Sequence, residues 1–160
     1  MIFKTVVNID GLKNAPSIFE RQITNAAKKI EARLIGDAVK ETPEDEGKAR
    51  AGFKGTHSVS GFHALIEVKN NAPHFVFIEH GREPNKPAPP SHEGSALFNW
   101  VLRKINPDNP KAVTFLIARA IGERGLPAHA PMETSLEKNK QFIQNTLDKA
   151  VSDGVKKLNG

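Results

Sequence analysis

Pro84, Pro87, Pro89 and Pro90 stand within seven residues of one another. Proline lacks a backbone N–H and fixes φ, so this run can be neither helix nor central strand. Directly before it lies a compact apolar patch, Phe75-Val-Phe-Ile, which ends in Glu79-His80-Gly81-Arg82. The chain therefore breaks its regular structure beside its most hydrophobic short segment and runs stiff and extended from Glu83 to Pro90. Loops of that length in compact domains are either functional or disordered.

On both sides of this break the apolar spacing is readable. Residues 2 to 9 predict a strand with Phe3, Val7 and Ile9 on one face, and Asp10-Gly11 a turn. From Pro16 to Glu41 the period becomes helical, with Phe19, Ile23, Ala26, Ile30, Leu34 and Ala38 on one stripe. Pro16 suits a first turn and Pro43 stops the helix. Gly36 and the neighbouring alanines predict a close-packed partner. Residues 42 to 50 form a charged loop, after which 51–59 and 63–69 predict an antiparallel hairpin turning at Ser60-Gly61. The short stretch 74–79 fits a strand or a single helical turn equally well.

Beyond the prolines, Leu97 to Ile105 and Val113 to Ile121 predict two shorter helices, and 126–131 an extended run. A last helix over about 133–158 repeats Leu136, Ile143, Leu147, Val151, Val155 and Leu158. The order predicts one α+β domain over 1–160. In it a small antiparallel sheet packs against long N-terminal and C-terminal helices, with a proline-rich loop.

Composition narrows the chemistry. The 160 residues contain no cysteine, which excludes thiolate zinc sites, disulfides and thiol catalysis. Twenty-three basic residues against 18 acidic ones leave +5, short of the clustering of a dedicated nucleic-acid binder. No signal peptide is visible and no run approaches the ~18 apolar residues of a membrane span. Synthesis in a cytosol and no membrane partner are expected. Phosphate-binding glycine loops and the serine elbow are missing. Gly52-Phe-Lys-Gly55 has the G-x-x-G spacing of a KH clamp but opens a strand pair rather than joining two helices. His74, Glu79, His80, His92 and Glu93 lie close in sequence, yet their spacing sets no pair of imidazoles on one helical face. No metal, cofactor or catalytic residue is expected. Glu79, at the end of an apolar element, suits a carboxylate that pins a loop through its backbone N–H groups, with Arg82 as its ion-pair partner or as a contact to a neighbouring chain.

Four blocks then recur in order. A strand and Gly11-Leu12 precede a long helix. That helix ends in Ala38-Val-Lys-Glu-Thr-Pro-Glu-Asp-Glu-Gly-Lys-Ala-Arg50, which resembles A-P-x-D-T-G-x-L-R. Ala72-Pro-His-Phe-Val-Phe-Ile-Glu-His-Gly-Arg82 is similar to Y-A-x-[FY]-V-E-x-G-T. Ile121-Gly-Glu-Arg-Gly-Leu-Pro-Ala-His-Ala-Pro-Met132 is similar to I-x-x-K-G-x-x-x-x-P-F-[LM]. Together they resemble the tail-completion and head–tail joining proteins of long-tailed bacteriophages, the minor tail protein Z-like group. Ala49, Arg82 and Met132 depart from that pattern, where leucine, threonine and phenylalanine are usual.

The resemblance implies a structural virion protein without catalysis. It would complete the tail or neck, or form a terminator or connector ring, and help join the tail to the DNA-filled head. It implies a homo-oligomeric ring with tail-tube, terminator or neck proteins as partners and DNA passing nearby. Candidate subunit contacts are Glu44, Asp45 and Arg50 in the charged loop, Glu79 and Arg82 at the corner, and Lys86, Pro87, Pro89 and Pro90 in the arm. A metal-dependent hydrolase using His74, His80 and His92, or a DNA-binding module, are the readings from other classes.

Overall fold

The computed structural model describes residues 2–7, 17–61 and 63–159. Asp10, Gly11, Leu12, Pro16, Ile9 and the side chains of Phe3, Val7 and Leu158 lie outside the described residues. In chain order the elements are β1 (Ile2–Val7), α1 (Ser17–Glu41), α2 (Lys48–Ala51), β2 (Phe53–Ser60), β3 (His63–Asn70), α3 (Phe75–His80), α4 (Ala96–Lys104), α5 (Pro110–Arg124) and α6 (Pro131–Asn159). The chain packs as two compact units, Met1–Glu79 with His129–Gly160, and His80–Ala128.

The first unit is an α+β body. Its sheet is antiparallel with order β1-β3-β2, so β3 is central, paired from Phe53↔Asn70 to Ser60↔His63 and from Ile2↔Lys69 to Val7↔Ala64. The period of two along β3 buries Ala64, Ile66, Val68 and Asn70 and leaves Leu65, Glu67 and Lys69 on the other face. The buried face meets α1, whose Phe19, Ile23, Ala26, Ile30, Leu34 and Ala38 are all buried, as their spacing predicts. Each large side chain so buried contributes about 1.5–3 kcal/mol before entropy is charged against it. Phe75 closes the core edge-on to Phe53, with ring centroids 5.1 Å apart.

α6 runs antiparallel to α1, and here the apolar pattern misplaces the seam. The buried line on α6 passes through Met132, Ser135, Asn139, Ile143, Leu147, Ala150 and Gly154, while Val155 is 43% exposed. Small residues let the helices approach: a Cβ on Gly154 would come within 2.7 Å of the Phe19 ring. The close approach expected at Gly36 is therefore at Gly154, and a Cβ at Gly36 would meet open space.

Polar bonds hold the other end of the seam in register. Ser135 Oγ donates to the Leu34 carbonyl at 2.8 Å, and Asn139 Nδ2 donates to Asp37 Oδ2 at 2.9 Å and to the Ser135 carbonyl at 2.8 Å. Arg33 Nε lies 3.1 Å from Asn139 Oδ1 and 2.8 Å from Asp37 Oδ2, and its guanidinium sits 5.7 Å over the Phe142 ring. The Asn139 hydrogen bond, helped by Lys40 and Arg33 and opposed by burial, holds the Asp37 carboxyl below its ordinary 3.8. A carboxyl whose folded pKa is depressed stabilises the fold above its unfolded value and loses that contribution as pH falls through the folded one. Asp37→Asn is thus expected to cost about 1 kcal/mol at neutral pH, a charge-assisted bond discounted for solvent. Urea titrations should show the gap to wild type shrinking as pH drops below 3.8.

The second unit contains α4, α5 and the proline segment. α4 starts at Ser95, whose Oγ accepts from the Phe98 amide at 3.2 Å; α5 starts at Asn109, which accepts from Ala112 at 3.1 Å, with Pro110 in the first turn. Phe98, Val101 and Ala118 are its buried apolar residues, and Thr114, Ala118 and Gly122 form the buried, small-residue side of α5.

Candidate functional site

The charged loop is tied down at both ends rather than free. Thr42 is buried and its Oγ1 returns to the Ala38 carbonyl at 2.7 Å, ending α1. Arg50 Nε donates to the Thr42 carbonyl at 2.9 Å, and Arg50 Nη1 pairs with Glu44 at 2.5 Å. Glu44 and Asp45 are exposed on the loop's outer side. Lys48–Ala51, predicted as the end of the loop and the first residue of the strand, form α2 instead, and β2 begins at Phe53.

Asn70 explains this local geometry. Its Nδ2 donates to the Ala49 carbonyl at 2.6 Å and its Oδ1 accepts from the Ala72 amide at 2.9 Å, so one buried amide anchors α2 and the segment leading to α3. Gly52 leaves the space for it, since a Cβ there would run into the Asn70 side chain. Gly55 in turn lies under Glu31, which reaches His57 Nδ1 at 2.5 Å. Both glycines of the G-x-x-G match are thus positions where a side chain comes close to the backbone, Asn70 at Gly52 and Glu31 at Gly55.

The stretch around 74–79 is a helix. Phe75 and Glu79, four residues apart, share its buried face, while Val76 and Phe77 face outward at 48% exposure each. Glu79, 3% exposed, accepts the Met132 amide on Oε2 at 3.0 Å and the Glu133 amide on Oε1 at 3.1 Å. These are the second and third residues of α6; the first is Pro131, which has no N–H to offer. A helix leaves its first amides unpaired, and its N-terminus carries partial positive charge. Glu79 therefore serves as the cap of α6 from 53 residues away. Its carboxylate pins backbone N–H groups as expected, but those of a helix start rather than of the following loop. The Ile78 carbonyl adds to the joint by accepting from His129 at 2.9 Å and Ala130 at 3.3 Å. α6 consequently starts at Pro131, where an extended run was predicted.

Arg82 bonds within its own unit. Its backbone exchanges two 2.9 Å bonds with Leu126, and its guanidinium donates to the Pro87 carbonyl. The Asn85 and Lys86 amides donate to the Glu123 and Gly122 carbonyls at 3.3 and 3.1 Å, and the Gly125 amide to Ile121 at 2.9 Å. The last turn of α5 has carbonyls without helical partners, and the arm's amides satisfy two of them. Gly122 permits this approach, with Lys86 and Ala88 backbone 3.1–3.2 Å from where its Cβ would stand. The arm is thus ordered on its own chain. Pro87 and Pro90 face outward, Pro89 is half-buried, and Lys86 Nζ pairs with Glu83 at 3.1 Å. A hollow of about 480 Å³ opens beside the arm, between Lys86, Ala88, Phe115, Arg119 and Glu123. Arg119 hydrogen-bonds Glu123 at 2.7 Å and holds that carboxyl below its ordinary range.

His74, His80 and His92 are exposed, with His92 Nδ1 2.9 Å from the Glu93 carbonyl oxygen. Among the described residues no three or more histidine, aspartate and glutamate side chains group closely enough to hold a metal ion, and no helix is long and apolar enough to cross a membrane. No protein-family model, curated protein or solved structure matches this chain.

Proposed function

We propose that this chain is a structural subunit of a long-tailed bacteriophage virion, completing the tail or neck and helping to join the tail to the DNA-filled head. The reading starts from the resemblance of four sequence blocks. One observation supports it: the blocks over 72–82 and 121–132 are bonded to each other. Ile78 and Glu79 hold the start of α6 from His129 to Glu133, and Arg82 pairs with Leu126. Two motifs distant in sequence are halves of one joint, so their joint occurrence has a physical reason. The block over 38–50 ends α1 and carries the Thr42–Arg50 clamp. In this role the chain works by shape and contact, as a ring subunit with an ordered, outward-facing proline arm that loses little entropy on docking. On this reading DNA is met as a polyanion, which a net of +5 suits. Electron microscopy of particles made without this gene tests the reading. Filled heads lying apart from tails of finished length are expected, and normally joined virions would overturn it.

A further inference from the structure

We propose that the free edge of the sheet docks an extended, acidic segment of a partner protein, which adds beside β2 as a further strand. In the order β1-β3-β2, β2 is hydrogen-bonded on one side only. Every second residue of such a strand turns its N–H and C=O away from its neighbour. Among the described residues, no backbone bond from Phe53–Ser60 leaves the ladder with β3. Protected edges are short, bulged or interrupted by proline. β2 is eight residues long, keeps an unbroken register from Phe53 to Ser60 and contains no proline. It is a continuous template for main-chain pairing.

Charge selects what fits. Lys54 lies directly opposite Lys69 on β3, and both are exposed on the face turned away from α1. Like charges at directly opposed positions work against the sheet. Among the described residues neither ammonium has an ion-pair partner, and Glu67, the next position along that face of β3, pairs with neither. On the face toward α1 the carboxylates are engaged, Glu31 with His57 at 2.5 Å and Glu20 with the Gly61 amide at 2.8 Å. A strand added at β2 sets one of its side chains beside Lys54, on the side away from Lys69. A carboxylate there supplies the counter-charge that the repelling pair lacks. Further along this face stand Thr56, Ser58 and Ser60, exposed and uncharged, so nothing there repels more carboxylates. The same lysine turns away a second copy, because edge lysines oppose the pairing of like edges. Main-chain bonds then give affinity and the lysine pair gives selection, as in strand addition generally. None of this rests on the virion reading.

The test uses the purified full chain and a fluorescent peptide as long as β2 that alternates glutamate and valine. Anisotropy with up to about 100 µM chain reaches the micromolar affinities of short segments. The peptide is expected to bind and to slow hydrogen exchange at the outward β2 amides. Lys54→Glu should weaken it about tenfold or more, and Lys69→Glu should do the same. Lys54→Glu should also raise the urea midpoint, since it turns repulsion across from Lys69 into attraction; the lost binding is then not lost folding. A fully N-methylated peptide keeps the charge, cannot pair as a strand and should not bind. The proposal is overturned if the first peptide does not bind, if the methylated one binds as well, or if both variants keep wild-type affinity. It is equally overturned if β2 gains protection from raising the chain's own concentration, which puts a second copy on the edge, or from a DNA duplex in place of the peptide.

Discussion

Glu79→Ala is expected to lower the unfolding free energy by about 3 kcal/mol, with the loss read from urea denaturation followed by circular dichroism. The carboxylate is 3% exposed and both its oxygens hold α6 amides. A hydrogen bond to a charged group contributes about 1.5–3 kcal/mol, and a removed acceptor leaves its donors without a partner. Ala130, the residue before α6, has no side-chain acceptor to replace it. Glu79→Gln keeps the shape and one acceptor oxygen but turns an NH2 toward an amide, so an intermediate loss of about 1–2 kcal/mol is expected. An alanine variant within about 0.5 kcal/mol of wild type, the range of ordinary surface changes, would refute the capping role.

The second large effect belongs to Gly125. Its φ of 74° and ψ of −165° lie in a region open to glycine alone. A Cβ there would also collide with the Arg82 carbonyl and stand 2.9 Å from the Pro84 nitrogen. Gly125→Ala is expected to cost about 3 kcal/mol, relieved by letting the arm leave α5. The Asn85 and Lys86 amides should then lose hydrogen-exchange protection, and limited proteolysis should cut within 83–90. An arm as resistant as in wild type would show that Gly125 does not set the docking.

What the sequence made legible follows from periodicity. The α1 stripe, the β2–β3 hairpin and the α+β class each rest on a repeat of 3.6 or 2 residues meeting one buried face. The α6 seam escaped because its buried positions include Ser135, Asn139 and Gly154, which are chosen for hydrogen bonding and close approach rather than for hydrophobicity. α3 was ambiguous because six residues carry too little period. Its signal was the pair Phe75 and Glu79 at helical spacing, readable only if a glutamate is allowed on a buried face. The cap itself was hidden, since nothing in local sequence announces a donor–acceptor pair 53 residues apart. The proline arm is free of helix and strand, as its prolines require, but it bends over Pro84–Lys86 with Asn85 at φ 57° instead of running extended throughout. Its docking depended on unpaired carbonyls at the end of a helix that lies later in the chain.

The Ile78 carbonyl, which holds both His129 and Ala130, gives the chain a property beyond strength. The path leaves the body beside the point where it comes back, so the stretch between is a cassette sealed at its neck. Lengthening a closed stretch costs only ~0.6 kcal/mol per doubling. The body is thus free to carry a longer, shorter or wholly different insert while its own sequence stays the same.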